Sequence, residues 1–163
     1  TIQIGERIPS AMLSQMGENG PQPFLTSDYF AGRKVVLFSV PGAFTPTCSA
    51  YHLPGFVELT DEFTRKGIDA IGCMSVNDIF VMHAWGKSSH ADGIDMLADG
   101  NADFSKAMGL DSDASAFGMG TRSRRFALVA NDGVVTHLLV DAPGEFRLSS
   151  AESVLEALQT NTN

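Results

Sequence analysis

The chain has 163 residues, and its 11 Lys and Arg against 19 Asp and Glu give a formal net charge of −8. This length suits one domain with its own core rather than two. An acidic chain without a long basic run is not expected to bind nucleic acid or anionic membranes. No apolar run approaches the roughly 18 residues that a membrane span requires. We therefore predict a single domain, residues 1–163, that binds neither nucleic acid nor membranes.

Cysteine content and the N-terminus bear on the compartment. The chain has only two cysteines, which do not form a disulfide scaffold and suit a reducing compartment. The first residues show no signal-peptide pattern. We expect a cytoplasmic protein, and the absence of an initiator Met leaves open an organellar location after removal of a leader.

The first third of the chain combines turn signals with one buried strand. Residues 1–33 alternate short apolar pairs with Gly and Pro, which favours small edge strands or a hairpin. Within them, residues 27–32 indicate a short turn. The apolar run over residues 34–40 is typical of a buried strand.

The remaining pattern alternates helices and strands. Apolar residues at spacings of three and four predict a helix over residues 46–66, and Pro54 predicts a kink near residues 52–53. The further predicted elements are a buried strand at 68–76, a helix from Asn77-Asp78 to about 87, a strand at 95–98, a short helix at 101–108, a loop at 110–121, a hairpin of strands 124–130 and 134–140, a last helix opened by a Ser149–Glu152 capping box, and a frayed tail at 160–163. This order predicts an α/β fold with a mixed central β-sheet flanked by helices.

One cysteine lies where the first buried strand passes into a helix. Pro46 suits the first helical turn, so Cys48 falls within that turn. Unpaired backbone N–H groups and the helix dipole favour a thiolate there. A buried structural cysteine is the alternative, but hydroxyl-bearing neighbours favour a reactive sulfur; they are Thr45, Thr47 and Ser49.

The other candidate groups give weaker signals. Cys73 lies in an apolar strand and is expected to be buried and inert, unless its Cα comes within about 7 Å of the Cα of Cys48. The histidines lack zinc-ligand spacing. His52 follows Cys48 by one helical turn, which allows contact with the site; a solvated position and packing against the helix are the alternatives.

A small group of arginines precedes a core strand, at Arg122, Arg124 and Arg125. Surface charge is the default interpretation. Arg125, however, directly precedes the apolar run that starts at Phe126, so the strand can hold its guanidinium rigidly toward a cleft. Beside a thiolate, it would stabilise negative charge on a leaving oxygen.

Several motifs together resemble one known family. The pattern Pro41-x-x-x-Thr45-x-x-Cys48 resembles the active-site signature of the peroxiredoxins. The longer string that continues to His52-Leu-Pro-Gly-Phe56 resembles the peroxiredoxin 5, or type II atypical, subfamily. Further matches are Cys73-Met-Ser-Val-Asn-Asp78 and Arg122-Ser-x-Arg-Phe126.

This resemblance implies a thioredoxin-like fold and a thiol peroxidase that reduces hydrogen peroxide and alkyl hydroperoxides without a metal or flavin cofactor. It implies that Cys48 is the peroxidatic cysteine and passes through a sulfenic acid. It further implies that Thr45 bonds the thiolate and the peroxide and that Pro41 shields the sulfur. Arg125 would orient the peroxide, with Arg124 or Arg122 as the alternatives.

The resemblance also bears on how the sulfur is regenerated. Some members carry a resolving cysteine near the C-terminus, and residues 141–163 contain none. An external thiol is therefore expected, from glutathione with glutaredoxin or from thioredoxin. A cysteine placed like Cys73 has a resolving role in plant-type relatives, which stays an alternative. The subfamily also implies a homodimer, with Phe44 and Phe80 as contacts.

Two other functions compete with the peroxidase. A redox sensor would use Cys48 oxidation to signal once, without turnover. A thioredoxin-fold thiol transferase or disulfide oxidoreductase would also use a lone cysteine. The matches at Thr45 and Arg125 favour the peroxidase.

Overall fold

The computed structural model describes residues 1–160, and residues 161–163 of the predicted frayed tail lie outside the described part. In chain order, the elements are β1 (Met12–Gly17), β2 (Gly20–Leu25), α1 (Thr26–Phe30), β3 (Lys34–Ser39), a π-helix (Cys48–His52), α2 (Leu53–Glu58), α3 (Thr60–Arg65), β4 (Ala70–Ser75), α4 (Ile79–Ser88), β5 (Asp95–Ala98), α5 (Asp103–Ala107), β6 (Asp111–Asp113), a 3-10 helix (Ser115–Phe117), β7 (Thr121–Ser123), β8 (Phe126–Asn131), β9 (Val134–Val140) and α6 (Ala151–Thr160).

Seven strands form one sheet in the order β2-β1-β5-β4-β3-β8-β9. The pairs β3–β4 and β4–β5 are parallel, whereas β1–β2, β1–β5, β3–β8 and β8–β9 are antiparallel. The strands of the parallel pairs are connected by helical crossovers, and the antiparallel pairs β1–β2 and β8–β9 are hairpins. The predicted mixed sheet flanked by helices is confirmed.

The central strands are buried on both faces, as their continuous apolar runs predict. Alternate residues of β3 enter different cores: Val36 and Phe38 lie in one apolar cluster, and Val35 and Leu37 lie in the other. The first cluster also contains Cys48, so the candidate nucleophile belongs to the core beneath the helices.

Three local predictions are wrong. The predicted turn at residues 27–32 contains the short helix α1. The predicted loop at 110–121 contains β6 and the first residue of β7, which pair with each other and carry no apolar side chain, so no apolar pattern indicates them. The side chain that caps α6 belongs to Ser150, whose Oγ accepts from the Ser153 N–H at 3.2 Å, while Ser149 turns to another partner.

The predicted helix over residues 46–66 is present but divided. It starts at Pro46, changes from π to α geometry between His52 and Leu53, and is interrupted again at Leu59. At the position of the predicted kink, near residues 52–53, the helix changes type but is not broken, since His52 and Leu53 keep helical backbone angles. Pro54 lacks an N–H and cannot continue the hydrogen-bond ladder there. In residues 1–160, no helix combines the length and apolar character that crossing a bilayer requires.

Candidate active site

The candidate nucleophile lies in a helix that a tight loop introduces. Residue 44 adopts a positive φ of 63°, and the loop is tied to the end of β4, since the Ala43 N–H donates to Asn77 Oδ1 at 3.0 Å. The Thr45 carbonyl then accepts from the Ser49 N–H at 2.9 Å, which starts the helix. Cys48 consequently lies in the first turn, as predicted, and its side chain is fully buried.

A guanidinium reaches the buried sulfur. Arg125 directly precedes β8, and its Nη2 donates to Cys48 Sγ at 3.2 Å. Its Nη1 donates to His52 Nδ1 at 2.8 Å, and its charge lies over the Phe146 ring, 5.6 Å from the ring centroid. Three contacts therefore hold the cation in place, so its orientation toward the sulfur is built into the fold.

The histidine in this chain of contacts is neutral. Because the Ser149 carbonyl can only accept, the proton of the His52 ring is on Nε2, which lies 3.0 Å from that oxygen. Nδ1 is then free to accept from the guanidinium. Burial, followed by the nearby charge of Arg125, lowers the pKa of His52 from 6.5 to about 3. His52 thus accepts a hydrogen bond from Arg125 and places no second positive charge beside the guanidinium.

Thr45 lies on the same loop, and its hydroxyl has one proton that it can donate. That proton is directed at the Gly42 carbonyl at 2.6 Å, rather than at the sulfur. The expected bond from Thr45 to the thiolate is therefore not formed in this conformation. The hydroxyl lone pairs remain available to accept a hydrogen bond from a bound molecule.

A cleft of about 360 Å³ is lined in part by Thr47, the residue before Cys48, and by Arg125, whose guanidinium bonds the sulfur. Pro41, Thr47 and Arg125 lie along one part of its wall, and Phe117 and Met119 add apolar surface. The Cys48 side chain has no exposed surface and does not itself form part of the cleft wall.

The other two arginines have different partners. Arg122 donates to the carbonyls of Met119 and Val76 at 2.9 and 3.1 Å, so it fastens the loop that follows the 3-10 helix to the end of β4. Arg124 makes a long contact, 3.4 Å, with the Asp141 carbonyl. Of the three candidate arginines, Arg125 is the one that bonds the sulfur.

The second cysteine lies in the same core. Cys73 on β4 is fully buried, and both cysteines are free thiols. Burial, with a further contribution from the charge of Cys48, raises the pKa of the Cys73 thiol well above its usual value. A thiol that stays protonated is a poor nucleophile. Among residues 1–160, no three His, Cys, Asp or Glu side chains are grouped so that they could hold a metal ion.

Sequence reasoning missed part of this site. The spacing of His52 from Cys48 made contact possible, but no local pattern separated that role from helix packing. Phe146 and Ser149 are far away in the sequence and gave no signal toward the site. Asp141, the buried carboxylate that bonds Ser149, gave none either.

Comparison with known proteins agrees with this geometry. Residues 3–155 match the Redoxin family. The chain is 46% identical to Peroxiredoxin-2B of Arabidopsis thaliana over 159 residues, which cover 96% of this chain and 98% of that protein. It is 48% identical to the chloroplastic Peroxiredoxin-2E-2 of Oryza sativa subsp. japonica over 164 residues, which cover 97% of this chain and 73% of that protein.

Solved structures give the same result. A structure of reduced Prx3 from Vibrio vulnificus in complex with H₂O₂ matches with a TM-score of 0.94 and 51% identity, and the match covers 97% of this chain and 99% of that one. Peroxiredoxin 5 from Alvinella pompejana matches with a TM-score of 0.85 and 33% identity over 99% of this chain and 100% of that one. The predicted thioredoxin-like fold is confirmed.

A guanidinium that donates to a buried cysteine next to a mixed sheet is the arrangement expected of a protein with thiol-based redox chemistry. The chain belongs to the Redoxin family and, within it, to the peroxiredoxins. Peroxiredoxins are thiol-dependent peroxidases, so the predicted enzyme class is confirmed. The family assignment favours the enzyme over the sensor and over the transferase.

Proposed function

We propose that Cys48 is the nucleophile that reduces hydroperoxides and that Arg125 orients the peroxide beside it. The single observation that carries this proposal is the 3.2 Å contact from Arg125 Nη2 to Cys48 Sγ, made by a cation that His52 holds from the other side. The complex of the Vibrio vulnificus relative with H₂O₂ supports hydrogen peroxide as a substrate.

The thiolate attacks the nearer oxygen of the peroxide. An S–O bond forms while the O–O bond breaks, and the departing oxygen takes a proton and leaves as water or an alcohol. Cys48 is left as a sulfenic acid. Arg125 stabilises the negative charge that develops on the departing oxygen, and its fixed position means that little reorganisation is needed.

Thr45 and Pro41 complete the proposed site. Because the Thr45 hydroxyl already donates to the Gly42 carbonyl, it accepts the hydrogen bond of the peroxide O–H and aligns the oxidant. Pro41 lies on the cleft wall, where a side chain without a donor limits water near the sulfur.

An external thiol regenerates the enzyme. Two thiols are consumed in each cycle: the first condenses with the sulfenic acid and releases water, and the second reduces the resulting mixed disulfide. Glutathione with glutaredoxin, or thioredoxin, is the proposed donor. The raised pKa of the buried Cys73 thiol supports a single essential cysteine over resolution by Cys73.

We further propose that residues 1–163 act as one domain that pairs as a homodimer. Two exposed aromatic side chains support this pairing: Phe44, in the loop before the cysteine helix, is 53% exposed, and Phe80, on α4, is 65% exposed. Sedimentation velocity tests it, since Phe80→Asp should shift the dimer to monomer. The matched change at Ile4, which is 63% exposed on the N-terminal segment, should not.

The cytoplasm is the proposed compartment. The two free thiols support a reducing environment. The chloroplastic name of the rice relative supports an organelle as the alternative, and cell fractionation distinguishes the two.

A turnover assay with a matched pair of variants tests the proposal. Peroxide consumption is followed with thioredoxin, and separately with glutaredoxin and glutathione, for the native protein, Arg125→Ala and Arg124→Ala. Loss of one donor to developing charge costs about 10²- to 10³-fold in rate, so Arg125→Ala should lose activity on that scale and Arg124→Ala should keep it. Equal losses in both variants would overturn the assigned role of Arg125.

A further inference from the structure

A buried carboxylate stands at the far end of the contacts that reach the sulfur. Asp141 follows β9 directly and is 2% exposed. Its backbone N–H donates to the Arg125 carbonyl at 3.0 Å, so the two residues extend the β8–β9 pairing by one step. Its side chain is turned toward the segment that leads into α6.

That carboxylate fixes three consecutive residues. Oδ1 accepts from the N–H groups of Arg147 and Leu148 at 3.1 and 2.7 Å. Oδ2 accepts from the N–H and the hydroxyl of Ser149 at 3.2 and 2.5 Å. Burial alone raises the pKa of Asp141, but these hydrogen bonds outweigh burial and hold the pKa below its usual value, so the group is ionised. A charged acceptor with four donors defines the path of this turn.

The turn presents one carbonyl to the active site. The Ser149 oxygen accepts from His52 Nε2–H at 3.0 Å, and this contact determines both the tautomer and the angle of the ring. The opposite ring nitrogen bonds Arg125, and Arg125 bonds the sulfur. The Ser149 carbonyl fixes the proton of His52 on Nε2, and this leaves Nδ1 as the acceptor for Arg125. A change at the Asp141 carboxylate is therefore expected to shift the guanidinium.

We propose that Asp141 is a positioning residue that acts through Ser149 and His52 to aim Arg125 at the reacting sulfur. This inference rests on the proposed role of Arg125 in peroxide reduction. Asp141 also lies on the wall of the cleft, but its two carboxylate oxygens are taken up by donors of residues 147–149, so the role proposed for it is positional. Its part is to keep the guanidinium from rotating away when the peroxide enters.

Loss of the Asp141 charge and loss of its positioning role predict opposite changes in the fraction of Cys48 present as thiolate. A negative charge disfavours another negative charge nearby, so removal of the Asp141 charge should by itself increase the fraction of Cys48 present as thiolate. Loss of a well-aimed Arg125 should decrease that fraction, because the thiolate loses its charged donor. The direction of the change therefore separates the two roles.

The experiment uses Asp141→Asn, which preserves shape but places an NH₂ group against the two donors of Ser149. The matched control is Glu145→Gln, which removes one negative charge from the same loop at a side chain that is 52% exposed. The ultraviolet absorbance of the thiolate, the rate of alkylation by iodoacetamide and the rate of peroxide consumption are measured for each.

We expect Asp141→Asn to lower the thiolate fraction and to slow peroxide consumption by about 10- to 100-fold, the range for a small misplacement of a catalytic group. Glu145→Gln should leave both unchanged. In an Arg125→Ala background, Asp141→Asn should no longer slow alkylation, because the group through which it acts is gone. A general structural role would instead slow alkylation equally in both backgrounds.

A higher thiolate fraction in Asp141→Asn, or additive losses in the double variant, would overturn the inference. If thermal unfolding shows that Asp141→Asn does not fold, Ser149→Ala takes its place. It keeps the carbonyl and removes one hydrogen bond, so a smaller loss that vanishes in the Arg125→Ala background is expected. If the native protein consumes no peroxide, the proposed function fails, whereas thiolate absorbance and alkylation still decide the role of Asp141.

Discussion

The neutral state of His52 makes the stability of the fold depend on pH. In the folded chain the pKa of His52 is lowered from 6.5 to about 3, because the ring is buried and lies beside Arg125. The unfolded chain therefore binds a proton near its ordinary pKa while the folded chain does not. The free energy of unfolding is at its full value above pH 6.5 and decreases as the pH falls toward 3.

The size of the effect follows from the shift. Each pKa unit corresponds to about 1.4 kcal/mol, so lowering the pH from about 7 to about 5 should remove about 2 kcal/mol of stability through this one residue. Urea unfolding at both pH values measures the loss, and His52→Gln supplies the comparison because glutamine does not titrate. Only the difference in pH slope between the two proteins is assigned to His52.

Other titrating groups cancel in that comparison. His137, whose pKa is also lowered, mainly by burial, contributes to both proteins alike. Asp141, whose lowered pKa becomes relevant only in stronger acid, does not interfere in this range. Identical slopes for native protein and His52→Gln would refute a buried neutral imidazole, and with it the hydrogen bond that Arg125 donates to Nδ1.

Three further predictions concern the core around the sulfur. Cys73→Ser should keep most peroxidase activity with glutaredoxin and glutathione as the donor; a large loss in a folded variant would show that this cysteine resolves the sulfenic acid. Trp85, the single tryptophan, donates to the hydroxyl of the residue after Cys48 at 3.0 Å. Its fluorescence should therefore change on oxidation in stopped-flow experiments, with no change in Cys48→Ser. Phe56→Ala removes a ring stacked 4.0 Å from that of Phe38 and should cost about 3–5 kcal/mol in denaturant unfolding; a cost below about 1 kcal/mol would contradict tight packing there.

The central elements were predictable from the sequence because their signals are local. The apolar runs of β3, β4 and β8 place those strands at the centre of the sheet, and Asp78 caps α4 as its residue type predicts, since it accepts from the Val81 N–H. The turn at Asn131-Asp132-Gly133 likewise joins β8 and β9. In each case the decisive interaction lies within a few residues.

Other features depend on interactions that residue type and apolar periodicity do not indicate. Ser149 has the residue type and spacing of an N-cap, but the Asp141 carboxylate, eight residues earlier, takes its hydroxyl instead. The strands β6 and β7 are polar, and β6 is fully exposed, so their pairing has no apolar periodicity to indicate it. The π-turn at Cys48–His52 brings two buried polar side chains onto the core face, which a standard helical pattern does not predict.

The candidate site likewise combines residues that the sequence indicates with residues that it does not. Cys48 and Arg125 were identified from the residues that flank them, and the structure brings the two side chains together. The support for Arg125 is not visible in the sequence, since His52 lies 73 residues before Arg125, and Ser149, which fixes the His52 ring, lies 97 residues after His52. A sequence therefore indicates the reacting groups more readily than the residues that aim them.

The most direct test of the account is to identify the sulfur that peroxide oxidises. Protein treated with one equivalent of hydrogen peroxide in the presence of dimedone, which traps sulfenic acids, is digested and examined by mass spectrometry. We predict the adduct on Cys48 and none on Cys73. Peroxide consumption with the adduct on Cys73, or with neither cysteine modified, would contradict the account.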